Sequence, residues 1–214
     1  MPITVGAKEV TPLKATYLQL LRVVNSSDFE INEAADVIGK DPAIAISFLK
    51  MVNIVVKTAE ITSVRHAAAM LGQRELKKWI NTAVAEKLYS DKASEVTRLS
   101  LLRARFAENL SEMFGMKLQS EQLFLMGLFS VLDVVLDKPM AEALDSIQVS
   151  KNIRDALVTR TGIFAPMYNF ITSYETANWS EVSRVIIVKN FNLDDVTQAY
   201  YDALRWYRET ITVE

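Results

Sequence analysis

Histidine and cysteine, the residue types that most often carry acid–base and nucleophilic chemistry, are scarce in this sequence. His66 is the only histidine in 214 residues, and there is no cysteine. Mechanisms that need two histidines, a cysteine nucleophile, a zinc ribbon or an iron–sulfur cluster are therefore excluded. His66 lies among small apolar residues in S-V-R-H-A-A-A-M-L-G. This setting favours a helix histidine with a local hydrogen bond over a catalytic one, because an acid or base needs partners.

Two carboxylates have a spacing that could serve chemistry. Asp133 and Asp137 are four residues apart, which places them on one face of a helix if the helix continues that far. Paired carboxylates can hold Mg²⁺ or act as acid and base. The alternative is structural: Asp137 belongs to the turn before Pro139, and Asp133 is solvated or hydrogen-bonded near the helix end. The pattern favours the structural alternative.

Basic and aromatic side chains offer two candidate surfaces. Arg98, Arg103 and Arg105 form a basic cluster that we interpret as a solvated face, with nucleic-acid binding as the lesser alternative. A net charge of -2 also argues against a nucleic-acid partner. Tyr201 and Trp206 lie beside the predicted core stripe of the last helix. The pattern favours core packing for the aromatic residues of this helix, and their position at a boundary also suits a protein interface.

The elements that position these residues are predicted to be helices. The most apolar stretch, 123–136, is too short to span a bilayer, which takes roughly 20 apolar residues, so it is predicted as a buried central helix. Leu128 and Leu132 should both be buried in it. Apolar periodicity with start and stop signals predicts the other helices over 13–24, 31–38, 42–55, 64–71, 73–89, 96–114, 139–144, 153–158, 166–174, 179–191 and 194–210. Strand signals are nearly absent, so the fold is predicted to be all-α.

The organisation predicted from these patterns is simple. Residues 1–11 read as a linker or entry segment, and 12–214 as one compact helical domain built around the central helix. The sequence shows neither a secretory signal nor a membrane-spanning stretch, and it contains no metal-binding motif. We therefore predict a cytoplasmic protein with no cofactor and no bound metal.

Two sequence blocks resemble a known family. I-G-K-D-P-A-I-A-I-S-F-L-K-M-V-N over 38–53 and I-T-S-V-R-H-A-A-A-M-L-G over 61–72 are similar to the HDOD domain, a metal-free relative of the HD phosphohydrolases. Ile54 departs from the family, which usually has serine there. The residues that match the family motif are Asp41, Pro42, Asn53, Ser63, His66 and Gly72.

A later block narrows the resemblance. M-G-L-F-S-V-L-D-V-V-L-D-K-P-M over 126–140 resembles HDOD proteins in which an EAL domain precedes the HDOD domain in cyclic di-GMP signalling. Catalytic HD enzymes carry a metal-binding His-Asp pair on the central helix. The resemblance implies that Ser130 and Val131 stand at those two places. A hydroxyl and an alkyl group cannot replace imidazole and carboxylate, so the resemblance implies no catalytic, cofactor-binding or metal-binding residue.

The function expected from the sequence is that of a bacterial signal-transduction domain. We predict a non-enzymatic output domain that acts through protein–protein contacts and is linked to cyclic di-GMP signalling. Its expected partner is a protein, either an upstream EAL domain or another signalling enzyme. Two alternatives remain open: a degenerate HD-type hydrolase that uses Asp133 and Asp137, and a regulatory domain that binds a nucleotide or nucleic acid.

Overall fold

The computed structural model of the chain describes residues 12–56, 61–89 and 94–211. These residues form thirteen α-helices, a short 3-10 turn and one π-helical turn, and no strand occurs among them. The prediction of an all-α fold is confirmed. The predicted segment 1–11 lies outside the described residues.

The helices follow one another closely along the chain. In order they are α1 Pro12–Asn25, α2 Ile31–Ile38, α3 Pro42–Val56, α4 Val64–Leu71, α5 Gln73–Tyr89, α6 Ser94–Leu110, α7 Ser120–Phe129, α8 Leu132–Leu136, α9 Met140–Asp145, α10 Lys151–Arg154, α11 Ala165–Glu175, α12 Trp179–Lys189 and α13 Leu193–Ile211. The 3-10 turn is Lys117–Gln119 and the π-helical turn is Asp155–Thr159.

The chain divides into two compact units, 1–80 and 81–214, and α5 contributes residues to both. In the first unit, apolar residues at helical spacing are buried. Leu20, Leu21 and Val24 of α1 are fully buried, and Phe48 of α3 packs its ring 4.8 Å from that of Trp79. Burial of each such side chain stabilises the folded state by about 1.5–3 kcal/mol. Helices too short to be stable alone in water therefore persist in this unit.

In the second unit, α6 and α7 approach each other unusually closely at Gly127. A Cβ atom at Gly127 would lie only 2.4 Å from the backbone nitrogen of Ala104 and 2.4 Å from the carbonyl carbon of Arg103. Only a residue without a side chain fits this contact, which explains a glycine inside an otherwise apolar helix. Leu128 and Leu132 are fully buried, as the sequence predicts.

The prediction of one unbroken central helix is wrong. The stretch 123–136 is divided into α7 and α8, with the interruption at Ser130 and Val131. Val131 has φ −121° and ψ 14°, which is not helical. The Ser130 hydroxyl donates to the Gly127 carbonyl at 2.7 Å, and the Ser130 backbone N–H donates to the same oxygen. This local bonding ends α7 at Phe129, with Ser130 as its C-cap.

Other helix ends differ from the predictions by a few residues. The helix predicted over 96–114 ends at Leu110, and turns continue to Gly115, whose φ is +72°. The helix predicted over 153–158 becomes α10 followed by the π-helical turn. Ser150 and Asn178 cap the starts of α10 and α12, where their side chains accept hydrogen bonds from backbone N–H groups. No helix among the described residues combines the length and hydropathy needed to cross a bilayer.

Candidate functional site

In the first unit, Asp41 and Pro42 start a helix. The Asp41 carboxylate accepts hydrogen bonds from the backbone N–H groups of Ala43 at 2.9 Å and Ile44 at 3.1 Å. Pro42 occupies the first helical position of α3, where its fixed φ suits the helix and its missing N–H costs nothing. This part of the family motif therefore has a structural role.

Asn53 closes the connection between α3 and α4. Its side-chain amide donates to the Ile61 carbonyl at 3.0 Å, and its amide oxygen accepts from the Ile61 backbone N–H at 2.8 Å. The side chain thus imitates a paired backbone segment and satisfies both polar groups of one residue. Ile54, the departure from the family pattern, is 59% exposed, so the apolar side chain is not needed for packing.

Ser63, His66 and Gly72 define the two ends of α4. The Ser63 hydroxyl accepts the backbone N–H of His66 at 3.4 Å, and Gly72 ends the helix with φ +80°. That conformation is one that residues with a side chain rarely adopt. The imidazole of His66 is exposed. Ser63 also lines a shallow cleft with Asp36 and Lys40, and His66 is not among the residues of that lining. What His66 contributes to α4 is its backbone N–H, in the cap at Ser63.

In the second unit, the helix break carries a buried hydrogen-bond network that begins at Ser130. The Ser130 hydroxyl donates to Gly127 and accepts from the Arg103 guanidinium at 3.1 Å. Arg103 in turn pairs with Glu175 of α11 through Nε and a second nitrogen, at 2.8–2.9 Å. Both charged side chains are nearly buried, with 14% and 15% of their surface exposed. A paired, hydrogen-bonded charge is the form in which a buried arginine is tolerated.

The same break leaves the Leu128 carbonyl without a helical partner. This carbonyl instead accepts hydrogen bonds from two hydroxyl groups. Tyr89 donates at 2.8 Å and Ser100 at 2.7 Å. Tyr89 is fully enclosed, and its burial raises the pKa of the hydroxyl well above its ordinary value; the nearby Asp133 adds to the effect. The hydroxyl therefore stays protonated at physiological pH and keeps donating its hydrogen bond to the Leu128 carbonyl.

The residues at this break do not fit a metal. Val131 contributes an alkyl group, and the Ser130 hydroxyl is already committed to Arg103 and Gly127. Across 12–56, 61–89 and 94–211, no group of three His, Asp or Glu side chains lies together in a geometry that could hold a metal ion.

The two carboxylates singled out in the sequence do not form a pair on one helix. α8 ends at Leu136, and Asp137 adopts a left-handed conformation with φ +53° in the turn before Pro139. Asp133 lies at the start of α8 and accepts the Lys138 backbone N–H through its own carbonyl. Asp137 therefore lies in the turn before Pro139, as the structural alternative predicts, whereas Asp133 lies at a helix start and not near a helix end.

The arginine cluster is not an open basic face. Arg98 pairs with Glu95, Arg103 with Glu175, and Arg105 with the neighbouring carboxylate Glu108. Hydrogen bonding to Glu95 raises the pKa of Arg98, as expected for a cation held by a carboxylate. Each positive charge is neutralised locally, which removes the physical basis for phosphate binding by this cluster.

The two aromatic residues proposed for an interface have different environments. Tyr201 is 58% exposed on α13. Trp206 is half-buried: its ring lies 6.0 Å from Phe124 in an edge-on arrangement, and the Arg105 guanidinium lies 5.7 Å above it. Tyr201 is thus the accessible member of the pair, and Trp206 also supports the packing of its unit.

Sequence reasoning missed the residues that surround the break. Arg103 was interpreted as a surface charge, and Glu175, Tyr89 and Ser100 were not singled out. Ser100 carries a weak signal, a small polar residue inside the apolar run L-S-L-L at 99–102. The Glu175 contact has no such signal, since its partner lies 72 residues away.

The comparisons with known proteins agree with this architecture. The HDOD domain family matches residues 10–160, about 70% of the chain. The chain therefore belongs to the HDOD family, as the motif over 38–72 predicts. No solved structure matches.

Two curated proteins are similar over most of the chain. A protein of Vibrio cholerae serotype O1, named cyclic di-GMP phosphodiesterase CdgJ, is 29% identical over 97% of this chain and 49% of its own length. The YuxH protein of Bacillus subtilis strain 168, whose name assigns no activity, is 24% identical over 89% of this chain and 47% of its own length. The chain thus spans about half the length of the curated relatives it matches.

The prediction that the chain is not an enzyme is contradicted. It relied on Ser130 and Val131, which cannot act as HD ligands, and on the metal-free character of the HDOD family. The similar Vibrio cholerae protein is named a phosphodiesterase, which points to an enzyme. The side chains of Ser130 and Val131 therefore do not decide by themselves whether the protein is an enzyme.

Proposed function

We propose that this chain takes part in the hydrolysis of cyclic di-GMP, as the HDOD region of a phosphodiesterase. The observation that supports the proposal is the identity to the Vibrio cholerae phosphodiesterase, because it extends across 97% of the chain. The reaction adds water across one phosphodiester bond of the ring and leaves a linear dinucleotide with a terminal phosphate.

In this proposal the chain acts within its enzyme by protein contact, in the cytoplasm. Ser130 and Val131 do not provide a water-activating carboxylate, so another region supplies the hydrolytic groups. The sequence block 126–140 favours an EAL domain as that region, and the relatives are long enough to contain one. Tyr201, 58% exposed on α13, is the side chain that we assign to the contact.

The experiment uses the complete reading frame that encodes this chain. Purified protein should convert cyclic di-GMP into the linear dinucleotide, measured by liquid chromatography. Tyr201→Ser should change the rate of hydrolysis at least about three-fold while the thermal unfolding midpoint stays the same, because the contact sets the orientation of the catalytic region. Leu118→Ser is the matched control, since Leu118 is 96% exposed and apolar but lies outside α13.

Two outcomes would contradict the proposal. A complete protein that is folded and leaves cyclic di-GMP intact rules out the phosphodiesterase assignment. If Tyr201→Ser and Leu118→Ser change the rate of hydrolysis equally, the contact assigned to Tyr201 is wrong, but the phosphodiesterase assignment stands.

A further inference from the structure

A cleft in the second unit lies between α11, α12 and the loop that precedes α11. Its volume is about 400 Å³, inside the range of about 300–1,000 Å³ that small-molecule sites occupy. Phe114, itself half-buried, contributes an apolar aromatic wall and contacts the rings of Phe170 at 5.6 Å and Phe191 at 4.9 Å. A packed aromatic cluster of this kind gives a planar ligand a rigid surface.

The charged lining of the cleft is predominantly positive. Arg160, Arg184 and Lys189 line it against a single carboxylate, Glu181. Glu181 pairs with Arg184, so the excess charge of two comes from Arg160 and Lys189. The whole chain carries a net charge of -2, and a local positive excess in an acidic protein indicates an anionic ligand.

The backbone at the rim holds Arg160 in an unusual position. Arg160 follows the π-helical turn and has φ +58°, a left-handed conformation that is uncommon for a residue with a side chain. Its guanidinium lies 4.0 Å from the centre of the buried Tyr168 ring. The stacking fixes the cation in place before any ligand arrives, and π-helical turns with strained residues are frequent at functional sites.

We propose that this cleft is a nucleotide-binding site. Arg160 and Lys189 hold the phosphate, while Arg184 stays paired with Glu181. The purine ring lies against Phe114, with the Asn169 amide available to the edge of the base. The nucleotide is cyclic di-GMP, of which one guanylate half enters the cleft; this last step rests on the proposed function. All the residues that line the site come from this chain. The bound nucleotide acts as a regulator of the hydrolysis.

The experiment is a calorimetric titration of this chain with cyclic di-GMP, GMP and inorganic phosphate. Cyclic di-GMP should bind at least about ten-fold more tightly than phosphate, because phosphate cannot use the aromatic wall. Arg160→Gly and Lys189→Ala should each weaken nucleotide binding by about ten-fold. Glycine suits the backbone at 160, so the fold should remain intact. Phe114→Leu should weaken nucleotide binding and leave phosphate binding unchanged.

Arg205→Ala is the matched control, because Arg205 is an exposed cation that lies outside the lining of the cleft. Its nucleotide affinity should equal that of the unmodified chain. If the chain binds GMP but does not bind cyclic di-GMP, the cleft is a nucleotide site, but its link to the proposed function is overturned. Three results would overturn the site. They are phosphate binding as tight as nucleotide binding, an equal loss of affinity in Arg205→Ala and Arg160→Gly, and the absence of any nucleotide binding. Hydrolysis by the complete protein is measured separately, so the two proposals can fail independently.

Discussion

The HDOD motif of the first unit and the helix break of the second are both built from hydrogen bonds, but the bonds cover very different lengths of sequence. The motif side chains bond to backbone groups two to eight residues away. At the break, Arg103 bonds to Glu175 across 72 residues. The first set is mostly at the surface, whereas the second lies in the interior of its unit.

This difference shows why the family can be recognised from its motif while the candidate site cannot. A cap such as Asp41 must be followed at once by the helix it starts, so residue type and position appear together in the sequence. A buried arginine requires a carboxylate, but no local rule says where along the chain that carboxylate is. The two regions should also differ in how much each contributes to the free energy of unfolding.

The largest effect is expected at the buried ion pair. Glu175→Ala leaves the Arg103 guanidinium nearly buried without its carboxylate, which should lower the free energy of unfolding by about 3–5 kcal/mol. Glu95→Ala, which removes the exposed partner of Arg98, should have little effect. Urea denaturation measures both. Equal losses in the two variants would show that burial does not distinguish these pairs.

The next effect is expected at the α6–α7 contact. Gly127→Ala places a methyl group 2.4 Å from backbone atoms of Ala104 and Arg103, which forces the helices apart and should cost about 3 kcal/mol. Gly39→Ala is the control, since Gly39 has an ordinary helical φ of −63° and should change the stability by less than about 1 kcal/mol. A Gly127→Ala protein with an unchanged thermal midpoint would mean that the helices are not in backbone contact.

A smaller effect is expected at the motif. Asn53→Ala leaves the N–H and C=O of Ile61 without their partner, which should cost about 1–3 kcal/mol. Ile54→Ser, at the adjacent exposed position, should be nearly neutral. Urea denaturation provides the test, and a cost for Asn53→Ala above that of Glu175→Ala would reverse the comparison between the two regions.

The smallest effect at neutral pH is expected at Tyr89. Tyr89→Phe removes one hydrogen bond to Leu128 and should cost about 1 kcal/mol. Burial raises the pKa of Tyr89, so above about pH 10 the unfolded chain loses a proton that the folded chain keeps. The stability from this group is complete below that pH and is lost as the pH rises, by up to about 1.4 kcal/mol per pH unit.

Unfolding midpoints measured from neutral to alkaline pH should therefore fall more steeply for the unmodified chain than for Tyr89→Phe. Part of the slope should remain in the variant, because burial also raises the pKa of Tyr17, Tyr200 and Tyr207. Identical slopes in the two proteins would mean that the Tyr89 hydroxyl ionises as easily in the folded state as in the unfolded chain.

Particular elements show how far sequence reasoning reaches. The helix Val64–Leu71 was predicted to the residue because Ser63 and Gly72 mark its two ends. The break at Ser130 was missed because no proline or glycine occurs there, and the hydroxyl that ends α7 is stabilised by Arg103, 27 residues earlier. Arg160 was missed for the same reason: its left-handed conformation and its stacking on Tyr168 depend on the π-helical turn and on α11.

The hydrogen bonds between Asn53 and Ile61 join residues only eight positions apart, which affects the order in which the chain folds. Closing a loop costs entropy that grows as the logarithm of its length, so the 72-residue closure to Glu175 costs about 2 kcal/mol more than the eight-residue closure to Ile61. During synthesis from the N-terminus, Ile61 also emerges more than a hundred residues before Glu175. We therefore expect the HDOD motif to be assembled while α11 is still untranslated, and the Arg103–Glu175 pair to form later.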